Sequence, residues 1–334
     1  MGSLGFSASS VKRWAILDMG SNTFLLLVAE YDPLQHRIKI LRDEQAVTRL
    51  GAGVGERGYI QPENVARAKL IGLYYNEICA SLQVQRLWAI GTAALRRAKN
   101  SLDVVKEISS VFQCFHTITI LSPEEEACYS YRGALIPAVT ATASYLTIDI
   151  GGGSTELVWG VGWTPKRIKS FPIGVVSLFE FFQREMSQEA VLGFLKESIQ
   201  PHLSTFSSVA VDEVYVMAGT PVTIACILQH LPYYEWWRVH GASISYESLE
   251  ALIAYLWEIS IEERRRHPSI LPERADVLPV GALLLLEFMR YLKLPSVRVS
   301  IYGLRYGALL ALLHREVGFD YSLPFSLEEP WLTR

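Results

Sequence analysis

LTIDIGGGSTELVW, residues 146–159, carries an apolar strand into Asp149, turns through Gly151-Gly152-Gly153-Ser154, and leaves through Thr155 and Glu156 into a second apolar strand. AILDMGSNTFLLLV, residues 15–28, has the same layout, with Asp18 standing 131 residues before Asp149. A second pair, AIGTAAL (89–95) and VMAGTPVTIA (216–225), runs in each case from a strand through Gly-Thr into a helix. Two copies of one strand-and-helix unit predict an α/β protein built by duplication, with a cleft between the halves. The first domain is placed at 1–121, with 303–334 packing back on it through a final helix near Leu304–Arg315; the second is placed at 122–302.

The 334 residues fit two domains, and 50% hydrophobic with 19% charged residues is ample for large cores. A net charge of −3 gives no global attraction to nucleic acid or membrane, so neither is expected as a partner. Cys79, Cys114, Cys128 and Cys226 show no CxxC spacing and read as scattered reduced core thiols of a cytoplasmic protein. The Ser-rich start lacks the pattern of a signal peptide. The apolar run Val277–Met289 carries Glu287 and is too short for a bilayer span.

Between these landmarks, strands are predicted at His36–Leu41, Leu87–Ile90, Thr117–Leu121, Leu157–Gly160, Arg167–Phe171, Val214–Met217 and Val297–Ile301, with the C-terminal half otherwise mainly helical. RLGAGVGERGY (49–59) follows no strand-to-helix turn and reads as a flexible connector into a helix starting near Pro62.

Three consecutive glycines let a backbone approach an anion and point N–H groups at it, and Ser154 adds a hydroxyl. Asp149 and Glu156 bracket that turn; carboxylates beside a phosphate loop call for a hard cation, since alone they would repel the phosphate. Ser21, Asn22 and Thr23 offer the matching cradle after Asp18, which reads equally well as a holder of metal-bound water or as a cap of its turn. Glu124-Glu125-Glu126 opens a helix, where acids suit the dipole; the same run could supply a carboxylate that deprotonates water. Arg96 follows Gly91-Thr92 with the planar donors that suit phosphate, whereas Arg97 and Lys99 read as a solvated face. Arg274 and Arg305 stand alone near small-residue turns, and Arg264–Arg266 reads as an exposed helix face.

At these residues the chain resembles the exopolyphosphatase and guanosine pentaphosphate phosphohydrolase (Ppx/GppA) family, a branch of the actin-like ATPase superfamily. The resemblance rests on AILDMGSNTFLLLVAEYD (15–32), AIGTAALRRAKN (89–100), SPEEEACYSYRGAL (122–135), TIDIGGGSTELVWG (147–160), VYVMAGTPVTIACI (214–227), ERADVLPVGALLLLEFM (273–289) and VRVSIYGLRYGALL (297–310), in family order. It implies two ribonuclease-H-like domains flanking a cleft, and release of terminal phosphate from polyphosphate or guanosine pentaphosphate with Mg²⁺, or Mn²⁺ in its place. Position by position, it puts the water-activating carboxylate on Glu126 and the metal on Asp149 and Glu156. Phosphate binding falls on Ser21–Thr23, Arg96, Gly151, Gly152, Gly153, Ser154 and Arg274. Homodimers are compatible with the resemblance. Pro123, Ala218 and the Ile301-Tyr302 pair depart from the family pattern, and the helical C-terminal domains of longer relatives are not expected.

Two other readings share the cradle. An ATP-binding kinase would need a base serving an acceptor alcohol, and a non-catalytic sensor of polyphosphate or guanosine tetraphosphate would have no use for Glu126. Dispersed basic residues further predict that short polyphosphates are handled about as well as long ones, with low processivity.

Overall fold

The computed structural model describes residues 11–136, 139–182 and 187–329. Twelve strands follow in chain order: β1 (Lys12–Met19), β2 (Thr23–Asp32), β3 (Arg37–Val47), β4 (Arg86–Gly91), β5 (Phe115–Ile120), β6 (Ser144–Ile150), β7 (Thr155–Val161), β8 (Thr164–Phe171), β9 (Glu213–Met217), β10 (Ser243–Ser245), β11 (Ser296–Val299) and β12 (Ser326–Glu328). The chain divides into two units, residues 1–122 with 305–334, and residues 123–304.

Unit 1 contains a six-stranded sheet in the order β12-β3-β2-β1-β4-β5. β1 lies centrally, antiparallel to β2 and parallel to β4, and its run WAILDM is buried throughout. That continuous apolar run is what a strand covered on both faces requires. The helix Pro62–Ser81 covers one face with Val65, Ala68, Tyr75 and Ile78, and Tyr75 donates from its hydroxyl to the Phe24 carbonyl at 3.1 Å. Sequence-distant segments return to this sheet. Arg305 from the helix Leu304–Val317 forks onto Asp43 at 3.0 and 2.8 Å, the Tyr306 hydroxyl donates to the same carboxylate, and β12 pairs in parallel with β3.

Unit 2 repeats the plan: β10-β11-β9-β6-β7-β8. Read from β8, the strands of the unit come third, second, first, fourth, sixth and fifth, and the first four places match unit 1 read from β3. Each unit is therefore a ribonuclease-H-like sheet, three antiparallel strands continued by parallel ones, with β10 added antiparallel at the edge of unit 2. The long apolar helix Leu278–Leu292 forms the spine of its core, buried from Leu278 to Met289, with Glu287 bonded to Arg290 at 2.6 Å. Among the described residues, no helix is long and apolar enough to cross a membrane.

The sequence reading needs three corrections of detail. β10 and β12 were not expected; each is a three-residue strand added at an edge, too short to leave a periodicity. The connector 49–59 contains the helical turn Val54–Arg57 and is built into the fold, because Gly51 packs against Ser21. Arg264 is not simply exposed, since its Nη1 donates to the Ala275 carbonyl at 3.0 Å. All four cysteines are free, as the sequence suggested.

Candidate active site

The acidic part of the site lies in unit 2. Asp149 and Glu156 face one another across the β6–β7 ladder. Glu156 is buried and Asp149 half-buried. Ser130 Oγ donates to Asp149 Oδ2 at 2.5 Å, and Ser170 Oγ, from the facing position on β8, donates to Glu156 Oε1 at 2.8 Å. Burial pushes the Asp149 carboxyl above its ordinary value, partly offset by the Ser130 bond. Burial raises Glu156 well above its own, and the negative charges of Glu126 and Asp149 add to that rise. Three carboxylates thus crowd one locality, in the arrangement that functional sites use to set protonation.

Glu126 arrives on the helix Pro123–Ala134, whose first turn is the acidic run. Glu124 and Glu125 are exposed, while Glu126 is buried at 7% exposure, which separates one acid from two that serve the dipole. Tyr131 seats this helix on the sheet. Its hydroxyl donates to the Gly162 carbonyl at 2.8 Å, and its ring occupies space that a Cβ on Gly160 would need. Ser130 lies one helical turn beyond Glu126, so a single helix supplies both the carboxyl and the hydroxyl that holds Asp149. That spacing was a readable signal, and sequence reasoning missed it.

The glycine turn follows β6. Gly151 N–H bonds the Ser154 carbonyl at 3.0 Å, and a Cβ on Gly151 would lie 3.0 Å from that same oxygen. The carbonyls of Gly151 and Gly152 point backwards and accept from Val175 and Val176 at 3.0 and 2.8 Å, capping the helix Val175–Phe182. Gly151 therefore uses its N–H inside the turn. Gly174 makes this packing close: a Cβ there would lie 2.5 Å from the backbone of Gly152 and Gly153. Nothing in the sequence around Gly174 announced it.

The next strand end carries the second half of the unit's polar edge. Asp149 and Met217 are partners in the parallel β6–β9 register, so the glycine turn and Ala218-Gly219-Thr220 leave the same edge of the sheet. Gly281 on the long helix lets both close in, since a Cβ there would meet Thr220 at 2.7 Å and Val175 at 2.8 Å. Arg274, at the end of the turn Pro272–Arg274, lays its guanidinium against Gly219, and its Nε is sealed without a hydrogen-bond partner. Desolvation lowers the pKa of that guanidinium.

Unit 1 reproduces the turn and its first acid, Asp18, but not the second. Gly20 N–H bonds the Thr23 carbonyl at 3.1 Å, the counterpart of the Gly151–Ser154 bond. The Ser21 carbonyl accepts from Gly51 and the Asn22 carbonyl from Thr48 and Arg49, so again the carbonyls face inward. Asp18, Ser21 and Asn22 are buried and Thr23 is half-buried. Leu25, however, occupies the position that corresponds to Glu156. Asp18 and Ile90 are register partners, placing the Thr92 turn beside this one, and Arg96 donates through Nη1 to the Leu121 carbonyl at 2.7 Å. Arg97 and Lys99 are exposed, as the sequence suggested. Arg305 is engaged with Asp43.

Among the described residues no group of three or more acidic, histidine or cysteine side chains is placed to hold a metal ion. Asp149 and Glu156, facing carboxylates that repel one another, nevertheless fit Mg²⁺, which commonly takes one or two carboxylates and completes its shell with water and substrate phosphate.

The Ppx/GppA phosphatase family model matches residues 27–316. The chain belongs to the Ppx/GppA phosphatase family. A guanosine-5'-triphosphate,3'-diphosphate pyrophosphatase of Vibrio vulnificus is 28% identical over 308 residues, covering 90% of this chain and 59% of that protein. Exopolyphosphatase 2 of Mycobacterium tuberculosis is 26% identical over 319 residues, covering 91% of this chain and 99% of that protein. The crystal structure of the Aquifex aeolicus Ppx/GppA member superimposes with a TM-score of 0.74 at 26% identity, covering 92% of this chain and 99% of that one. This Ppx/GppA chain thus spans about three-fifths of the length of the guanosine pyrophosphatase it matches.

Proposed function

We propose that this chain is a phosphoanhydride hydrolase that releases terminal phosphate from inorganic polyphosphate, guanosine pentaphosphate or both. The observation that carries the reading is the separation of Glu126, buried and electrostatically joined to Glu156, from the exposed Glu124 and Glu125. A buried carboxylate in an acidic cluster suits a water-orienting base better than a helix-dipole partner. Glu126 orients and deprotonates the attacking water. Gly152 and Gly153 N–H groups and the Ser154 hydroxyl hold phosphoryl oxygens, and Arg274 supplies positive charge. Asp149 and Glu156, fixed by Ser130 and Ser170, would hold Mg²⁺ or Mn²⁺. When bound, that cation would neutralise charge on the phosphate oxygens. Since phosphoryl transfer needs little covalent help, positioning and electrostatics supply most of the rate.

The test is phosphate release from tripolyphosphate, long-chain polyphosphate and guanosine pentaphosphate under one Mg²⁺ condition, with no acceptor alcohol. Release from at least one supports hydrolysis. Binding of all three without release would favour a sensor. Partial digestion of long chains on a gel should give a ladder of gradually shortening intermediates.

A further inference from the structure

An ideal Cβ built on Gly219 falls 0.9 Å from Arg274 Nη1, 2.1 Å from its Cζ and 2.6 Å from Nη2. The guanidinium therefore occupies the volume in which any other residue at 219 would carry its side chain. All three atoms belong to the end of one side chain, so a Cβ at 219 would be accommodated by displacing the guanidinium from its place. Gly219 is also the first residue of the helix Gly219–Leu228, so the arginine rests on the positive end of a ten-residue helix dipole. Pro221, in that first turn, contributes no N–H.

This placement is electrostatically costly in the free protein. Two positive features meet, Nε is enclosed without a hydrogen-bond acceptor, and only the neighbouring Glu273 opposes the desolvation. An arriving phosphate would supply the charge and acceptor oxygens that the arrangement lacks. We propose that Gly219 is a positioning residue: its missing side chain is the slot that holds the Arg274 guanidinium in the pose that receives a phosphate of the substrate. The proposal rests on the hydrolase reading for the identity of the anion, but the slot itself does not.

The experiment is a double-mutant cycle on the full chain with wild type, Gly219→Ala, Arg274→Ala and the double variant. Tripolyphosphate hydrolysis with Mg²⁺ is resolved into kcat and KM, and thermal stability is measured with and without pyrophosphate. With Arg274 present, Gly219→Ala should raise KM by about ten- to a hundredfold with kcat little changed, the scale of one charge-assisted hydrogen bond. In the Arg274→Ala background the same substitution should leave KM and the pyrophosphate-induced shift in Tm unchanged, because the slot is already empty. An equal effect in both backgrounds, or none in either, overturns the proposal. If Gly219→Ala fails to fold, the double variant decides: it should fold and behave like Arg274→Ala, and its failure also overturns the proposal. Should wild type hydrolyse nothing, the hydrolase reading falls, while the pyrophosphate-induced Tm shifts across the four proteins still judge the pair.

Discussion

Asp149 and Glu156 stand directly opposite each other on neighbouring antiparallel strands, and each is held by a serine from a different element, Ser130 and Ser170. Both carboxyls have folded-state pKa values above those of the unfolded chain. The folded protein then binds protons more tightly, so this contribution to stability is complete below the ordinary carboxylate range, near pH ~4, and is lost as pH rises through the raised values. In EDTA, Tm should fall as pH rises from that range towards 8, and Mg²⁺ should restore it most at the alkaline end. Glu156→Gln should flatten the slope, raise the metal-free Tm at pH 8 by a few degrees, and increase the Mg²⁺ needed for activity. A metal-free Tm that does not decline with pH, or full activity in excess EDTA, would exclude this picture.

Glu126→Gln should fold normally and lose activity by roughly 10²–10⁴-fold, the range for a positioned base. Glu124→Gln and Glu125→Gln, altering exposed residues, should stay near wild type. Steady-state rates with matched circular dichroism spectra settle the comparison. A crippled Glu125→Gln beside an active Glu126→Gln would move the base by one residue.

Gly174→Ala should destabilise the protein by about 1–3 kcal/mol and impair phosphate release, because the new methyl group overlaps the glycine turn. Gly193→Ala, on the helix Gln188–Ile199 with nothing within 4 Å, should instead stabilise by about 0.5–1 kcal/mol. Urea unfolding of both variants tests the contrast, and equal effects would refute the packing argument.

Ala218 adopts φ 77° and ψ −173°, a region that side chains avoid. Ala218 is one of the positions at which the sequence departs from the family pattern. Ala218→Gly should therefore relieve strain of about 1 kcal/mol or more, seen as a higher urea midpoint, although part is offset by the greater freedom of an unfolded glycine. A lowered midpoint would mean that the methyl group contributes packing worth more than the strain.

The repeated layout was legible because strand, acid and turn are local and their residue types are constrained: Asp18 and Asp149 end equivalent strands, and Gly20 and Gly151 close equivalent turns. The buried member of the EEE run was not separable by spacing, since all three acids suit a helix start; only the seating of that helix by Tyr131 singles out Glu126. Ser170, Gly174 and Gly281 gave no sign because their roles depend on partners brought near by tertiary packing. The edge strand Ser326–Glu328 was illegible for the same reason. Its existence depends on β3, nearly three hundred residues away in sequence.

That edge strand has a consequence for biosynthesis. Domains usually fold in the order in which they emerge, the N-terminal one first. Here the residues that complete the first unit, from Arg305 onward, are synthesised after the whole of the second. Unit 2 can close its core while unit 1 still lacks the Arg305 and Tyr306 clamp on Asp43 and has β3 as a bare edge. The nascent chain must keep that edge from pairing with a neighbour on the same polysome until its own C-terminal segment arrives to cover it.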